Sequence, residues 1–124
     1  MKERYLKCTI CGNIVKTVKE SGVKIICCGK PMEELVPGTV EASREKHIPV
    51  YSVEGNIVKV NVGSIDHPME EVHFIEWVEI KTNFGCHKIN LHPGEKPHVE
   101  FILKDNEELE YDLAYCNLHG LWKA

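Results

Sequence analysis

From Val40 onward, apolar side chains recur at every second position rather than with a helical period. Val58, Val60 and Val62 alternate with Lys59 and Asn61, and Val99, Phe101 and Leu103 alternate with Glu100 and Ile102. Near the C-terminal end Leu109, Tyr111, Leu113 and Tyr115 alternate with Glu110, Asp112 and Ala114. A period of two turns one set of side chains to one face, so these segments predict half-buried β-strands. Turn-forming residues fall between them at Glu54-Gly55-Asn56, Pro93-Gly94-Glu95 and Asp105-Asn106, which predicts about seven short strands at the spacing of a β-sandwich. There is no internal repeat, low-complexity segment or long amphipathic helix.

The first stretch, to about Val36, reads differently. It holds four cysteines, Cys8 and Cys11 in CTICGN and Cys27 and Cys28 in KIICCGKP. A domain below about 40 residues usually needs a staple, and four thiolates on one metal supply it. Gly12 and Gly29 follow the cysteine pairs and allow the chain to turn tightly around an ion. Pro37 and Gly38 read as a hinge, giving expected domains at residues 1–37 and 38–124.

Composition narrows the class. The 124 residues are 43% hydrophobic and 27% charged, as in an ordinary globular protein. A net charge of −4, with no Lys/Arg stripe interleaved with aromatics, argues against nucleic acid as a partner. No apolar run approaches the roughly 20 residues that span a bilayer, and the N-terminal MKERYLKC has no apolar stretch behind its charges, so the expectation is a cytoplasmic protein with no membrane partner. Six cysteines without a secretory leader, beside seven histidines, favour metal binding over a disulfide framework.

The spacing of these residues suggests two kinds of metal site. A CxxC pair followed by an adjacent CC is a strong signal for a tetrahedral four-sulfur site, which zinc and iron both fit. Iron would make that domain an electron relay; zinc, or a disulfide between the adjacent cysteines, would make it a staple. In the second region Cys116 and His119 sit in CNLHG, with His47, His67 and His73 upstream. One thiolate and four imidazoles are too many ligands for zinc, whereas on an octahedral metal such as iron five protein ligands leave one position open. His87, His92 and His98 read as ordinary surface or core residues, and Cys86 as a thiol near a turn. Trp77 and Trp122 read as shielding the metal or filling the core. Pro49 and Pro68, close behind His47 and His67, predict fixed loops there instead of continuous strands.

EKHIPV (Glu45 to Val50), HPMEEVH (His67 to His73) and CNLHG (Cys116 to Gly120), together with CTICGN and CCGKP, resemble the desulfoferrodoxins, the two-iron superoxide reductases. The resemblance spans essentially the whole chain, and it implies a mostly β protein, with a small desulforedoxin-like four-cysteine domain followed by an immunoglobulin-like antiparallel β-sandwich. It implies iron at Cys8, Cys11, Cys27 and Cys28, where zinc can stand in its place. A second iron is implied at His47, His67, His73 and His119, with Cys116 as axial thiolate. Glu45 and Lys46 match the glutamate and lysine of a loop that closes over the open coordination position. The implied activity is reduction of superoxide to hydrogen peroxide, with a rubredoxin-like electron donor and a homodimeric assembly. The competing class is a non-enzymatic iron electron-transfer protein.

Overall fold

The computed structural model describes residues 3–124; Met1 and Lys2, inside the expected first domain, lie outside the described residues. The chain forms two compact units, one ending at Val36 and one beginning at Pro37. Among the described residues no helix is long and apolar enough to cross a membrane.

The first unit is built from five very short strands: β1 (Tyr5–Lys7), β2 (Ile14–Lys16), β3 (Ile26–Cys27), β4 (Lys30–Pro31) and β5 (Glu33–Glu34). β1 lies between β2 and β5, and β3 pairs with β4. Among the described residues its buried apolar side chains are Tyr5, Leu6 and Cys8, which is too little core for a stable fold without help. Arg4 adds a polar tie, its guanidinium bonding Glu20 and reaching Glu34 at 2.8 Å. Both pairs of cysteines sit where a hairpin turns, Cys8 and Cys11 after β1, Cys27 at the end of β3 and Cys28 in the turn that follows it.

The second unit has seven strands and one single-turn helix: α1 (Arg44–His47), β6 (Pro49–Glu54), β7 (Ile57–Val62), β8 (Ile75–Thr82), β9 (Gly85–Asn90), β10 (His98–Ile102), β11 (Leu109–Cys116) and β12 (Gly120–Lys123). They form two antiparallel sheets ordered β10-β7-β6 and β12-β11-β8-β9, three strands against four in an immunoglobulin-like sandwich. The alternation read on β7 and β10 holds: Val58, Val60, Val62, Val99 and Phe101 are buried and join Ile75, Val78, Ile80, Ala114 and Cys116 in one core. Burying each such side chain contributes roughly 1.5–3 kcal/mol.

On β11 the expected phase is wrong. Leu109 pairs with Thr82 but Tyr111 with Lys81, so Glu110 is an extra residue that bulges and moves every later side chain to the opposite face. Asp112, Ala114 and Cys116 therefore share a face with Ile80, Val78 and Ile75, which belong to the core. Leu113 and Tyr115 are buried on the other face, where Tyr115 stacks on Trp77 at 5.5 Å. Asp112 is thus carried to the core face, fully buried, with neither carboxylate oxygen hydrogen-bonded among the described residues. Pro49 also differs from expectation, since it begins β6 instead of breaking it. The first residue of an edge strand is where a missing N–H costs no ladder bond.

Candidate metal centres

In the first unit the sulfurs of Cys8, Cys11, Cys27 and Cys28 all lie within 4.8 Å of one another, with Cys11 and Cys27 at 3.5 Å. A tetrahedral metal bound at about 2.3 Å requires sulfur separations of about 3.8 Å, so the four thiols already approximate its corners. The adjacent pair reaches two corners because Cys28 takes a left-handed backbone, φ 51°, followed by Gly29 at φ 74°. The N–H groups of Ile10 and Cys11 each point at the Cys8 sulfur from 3.4 Å, and these donors hold its thiol down at about 6. Cys28 is pushed up to about 12, chiefly by its hydrogen bond with Cys11, as expected when several sulfurs crowd together without a cation to share.

The second cluster lies at one end of the sandwich. His47 closes α1, His67 and His73 lie in the connection between β7 and β8, Cys116 ends β11, and His119 sits in the turn to β12. Reactive atoms of His47, His67, His73 and Cys116 fall within 4.8 Å of one another. His119 joins them: its Nδ1 is 3.1 Å from His47 Nε2 and 3.9 Å from Cys116 Sγ. Around the ring of imidazoles, His47 to His67, His67 to His73, His73 to His119 and His119 to His47 have centroids 4.5, 4.7, 5.1 and 4.9 Å apart. Each neighbour is nearly perpendicular to the last, while His47 and His73 face each other across the ring at 6.3 Å and 30°.

Nitrogen spacing tests whether a metal fits. At a metal–nitrogen distance of about 2.1 Å, neighbouring ligands sit about 3.0 Å apart at right angles and about 3.4 Å apart at tetrahedral angles. The measured His47–His119 and His47–His67 separations are both 3.1 Å, matching the right-angled, octahedral arrangement. His73 Nε2 is buried and has no hydrogen-bond partner among the described residues, which is expensive unless an ion takes its lone pair.

Second contacts aim the rings. His47 Nδ1–H donates to the Ser43 carbonyl at 2.6 Å and His67 Nδ1–H to the Pro68 carbonyl at 2.7 Å, leaving both Nε2 lone pairs directed inward. Burial, the largest influence, lowers the pKa of His47 and His73 and brings His67 down to about 4, so all three stay neutral and able to ligate. Burial pushes the Cys116 thiol up, opposed by the backbone N–H groups of Leu118 and His119. Its thiolate therefore needs a cation beside it. Trp122 lies against His47 at 5.0 Å and donates its indole N–H to the His119 carbonyl, walling one side. Trp77 stacks on Tyr115, its cross-strand partner on β11.

Glu45 is exposed and Lys46 half-buried on the turn of α1, and the Lys46 charge reaches both His47 and His73. This turn rests on Gly63. A Cβ there would lie 2.3 Å from the Ile65 carbonyl oxygen and 2.8 Å from both the Glu45 carbonyl oxygen and Lys46 Cα. The Glu45 carbonyl accepts from the Ile65 N–H at 3.1 Å, and Gly63 N–H donates to Ile48 at 3.2 Å. The sequence does not mark Gly63, the Ser43 and Pro68 carbonyls or Asn117 for these roles, although Pro68 lies in HPMEEVH and Asn117 in CNLHG. The histidines set aside there are elsewhere: His87 bonds Glu107 at 2.7 Å, and His92 and His98 pair with Glu95 and Glu100 on the surface.

A four-sulfur cluster and a ring of imidazoles with one thiol, on a mostly β frame, define a non-haem metalloprotein with two centres. The chain belongs to the desulfoferrodoxin family: the family model for the N-terminal domain matches residues 2–35 and that for desulfoferrodoxin matches residues 39–124. It is 45% identical to the desulfoferrodoxin of Nitratidesulfovibrio vulgaris over 95% of this chain and 92% of that one. It is 44% identical to a desulfoferrodoxin homolog of Archaeoglobus fulgidus over 95% and 93%. The solved superoxide reductase of Treponema pallidum superposes with a TM-score of 0.83 at 33% identity, covering 100% of this chain and 99% of that one. The two clusters match the family's two iron centres.

Proposed function

We propose that this protein is a superoxide reductase that converts superoxide to hydrogen peroxide at the second centre, taking electrons from a small donor protein of the rubredoxin kind. Its relatives among the superoxide reductases make it an oxidoreductase. The observation that carries the finer reading is the right-angled ring of imidazoles over one buried thiol, a donor set that leaves one position of an octahedral metal to a substrate. The ligands in this reading are His47, His67, His73, His119 and Cys116, and the catalytic residues are Glu45 and Lys46. Cys8, Cys11, Cys27 and Cys28 hold the first iron. The reading divides the chain into residues 1–37 and 38–124, and joins two copies as a homodimer. Exposed Val18, Val23 and Ile26 on so small a first unit support that pairing.

Iron held by His47, His67, His73, His119 and Cys116 would supply one electron and an open coordination position. The protein does the rest. Superoxide takes up that electron and two protons to leave as hydrogen peroxide. With a divalent iron held by four neutral imidazoles and the Cys116 thiolate the centre would be net positive, and the Lys46 ammonium adds a further positive charge at its mouth, so a small anion would be drawn in although the whole chain is negative. Cys116 would hold the iron through its thiolate, a strong electron donor that would favour release of the electron. Lys46 orients a water that passes one proton to the reduced substrate, the second proton comes from solvent water, and the Glu45 carboxylate covers the mouth as product leaves.

Replacing Lys46 with Ala should slow the second-order oxidation of the reduced protein by superoxide roughly tenfold and flatten its dependence on ionic strength. Stopped-flow or pulse-radiolysis traces at several salt concentrations measure both. An unchanged rate and salt slope would remove Lys46 from the mechanism. Reduced iron that superoxide leaves untouched would sink the reductase reading in favour of an electron carrier.

A further inference from the structure

We propose that Asn117 is the positioning residue for His73, clamping the chain on both sides of that ligand to the strand end that carries Cys116. The Asn117 side-chain oxygen accepts the Phe74 N–H at 2.9 Å, and its side-chain amide donates to the Val72 carbonyl at 3.0 Å. Its own backbone N–H donates to the Phe74 carbonyl at 3.2 Å. Three bonds from one residue thus grip the two residues flanking His73, and Asn117 is covalently next to Cys116.

His73 needs this grip more than its neighbours do. The rings of His47 and His67 are each aimed by a hydrogen bond from Nδ1 to a backbone carbonyl, whereas among the described residues the His73 ring makes no hydrogen bond to protein. Its backbone belongs to a tight connection in which Glu70 and His73 exchange N–H···O bonds at 2.9 and 3.0 Å. Glu70, Glu71 and Val72 are exposed, so this connection has little packing to hold it. With no hydrogen bond to aim the ring, the position of its buried Nε2 depends on where the backbone is fastened, and Asn117 fastens it. Asn suits the task because its side chain offers one acceptor and donors together. Aspartate offers only the acceptor, so it keeps the bond to Phe74 and loses the one to Val72.

This inference rests on the assignment of His73 to the second centre. The test compares Asn117→Ala, Asn117→Asp and His73→Ala in the full chain loaded with iron. Chelator competition measures iron retention at each centre, and electron paramagnetic resonance of the ferric second centre reads the ligand field. Removing a group that orients a metal ligand typically weakens binding 10- to 100-fold. Asn117→Ala should therefore lose second-centre iron at a 10- to 100-fold lower chelator concentration and alter the ferric spectrum, with the first centre unchanged. Asn117→Asp, which retains one bond, should fall between Ala and wild type. A clamp that serves folding alone would lower the melting temperature while leaving iron retention and spectrum as in wild type; that result overturns the proposal. If His73→Ala itself retained iron and spectrum, the assignment of His73 would fall and the clamp with it.

Discussion

Replacing Asp112 with Asn should stabilise the protein by an amount that grows with pH. The bulge at Glu110 turns Asp112 to the core face opposite Ile80, where it is fully buried and neither oxygen is bonded among the described residues. Burial pushes its carboxyl up to about 7, against about 3.9 in an unfolded chain. Below the unfolded value both states keep the proton and the group costs nothing by titration. Between about 4 and 7 the folded protein keeps the proton and the unfolded chain gives it up, so stability falls as pH rises, and above 7 the loss is constant. The gap of about three pK units corresponds to about 4 kcal/mol at its full extent, an upper bound that water entering between the sheets reduces. About half of it, about 2 kcal/mol, accrues between pH 5.5 and 8. Asn has the same shape and cannot ionise. Urea unfolding of both iron-loaded proteins at those two pH values isolates the effect, because the metal ligands are common to both and cancel in the difference. A stability difference that is flat or shrinks over that interval would refute the argument that Asp112 is held neutral by burial.

Gly63→Ala should be destabilising by about 2–4 kcal/mol, since φ is +88° and the added carbon meets three backbone atoms that cannot move separately. Because two of those atoms belong to Glu45 and Lys46, the superoxide rate should fall with the melting temperature, and a protein that loses stability but keeps its rate would unlink Gly63 from the loop. Cys8→Ser should abolish the absorption of the first centre and leave superoxide reduction by an artificial donor intact, whereas Cys116→Ser should cripple it. Loss of that reduction in Cys8→Ser would contradict the separation of the two centres.

The candidate ligands were legible because few residue types offer the lone pairs a metal needs, and Cys8, Cys11, Cys27, Cys28, Cys116 and the four histidines stand in recognisable short motifs. The strands of the sandwich were legible where their ladders are regular, as on β7 and β10. On β11 the alternation was visible but its phase was not, because the extra residue at Glu110 is defined only by its pairing with Thr82 and Lys81 on another strand. The parts that aim the site were the least visible. The Ser43 and Pro68 carbonyls are backbone atoms that every residue possesses, and the demand on Gly63 arises from atoms that folding brings against it. Asn117 lay within CNLHG, yet its role depends on Val72 and Phe74, more than 40 residues away.

The distribution of the two clusters along the chain also fixes an order of assembly. All four thiols of the first centre exist once Cys28 has been made, and they span only 21 positions. The imidazole ring joins His47 to His119, 72 residues apart, and cannot close before His119 has been made. At a synthesis rate of about 5–20 residues per second, His119 follows Cys28 by about 5–20 s. The growing chain can therefore capture its first ion early, as a local event, while the second ion enters a pocket that is complete only once His119 has been made. Discrimination between iron and competing ions is thus exercised differently at the two ends: by whichever ion reaches an emerging thiol pair first, and by the rigid angles of a completed fold.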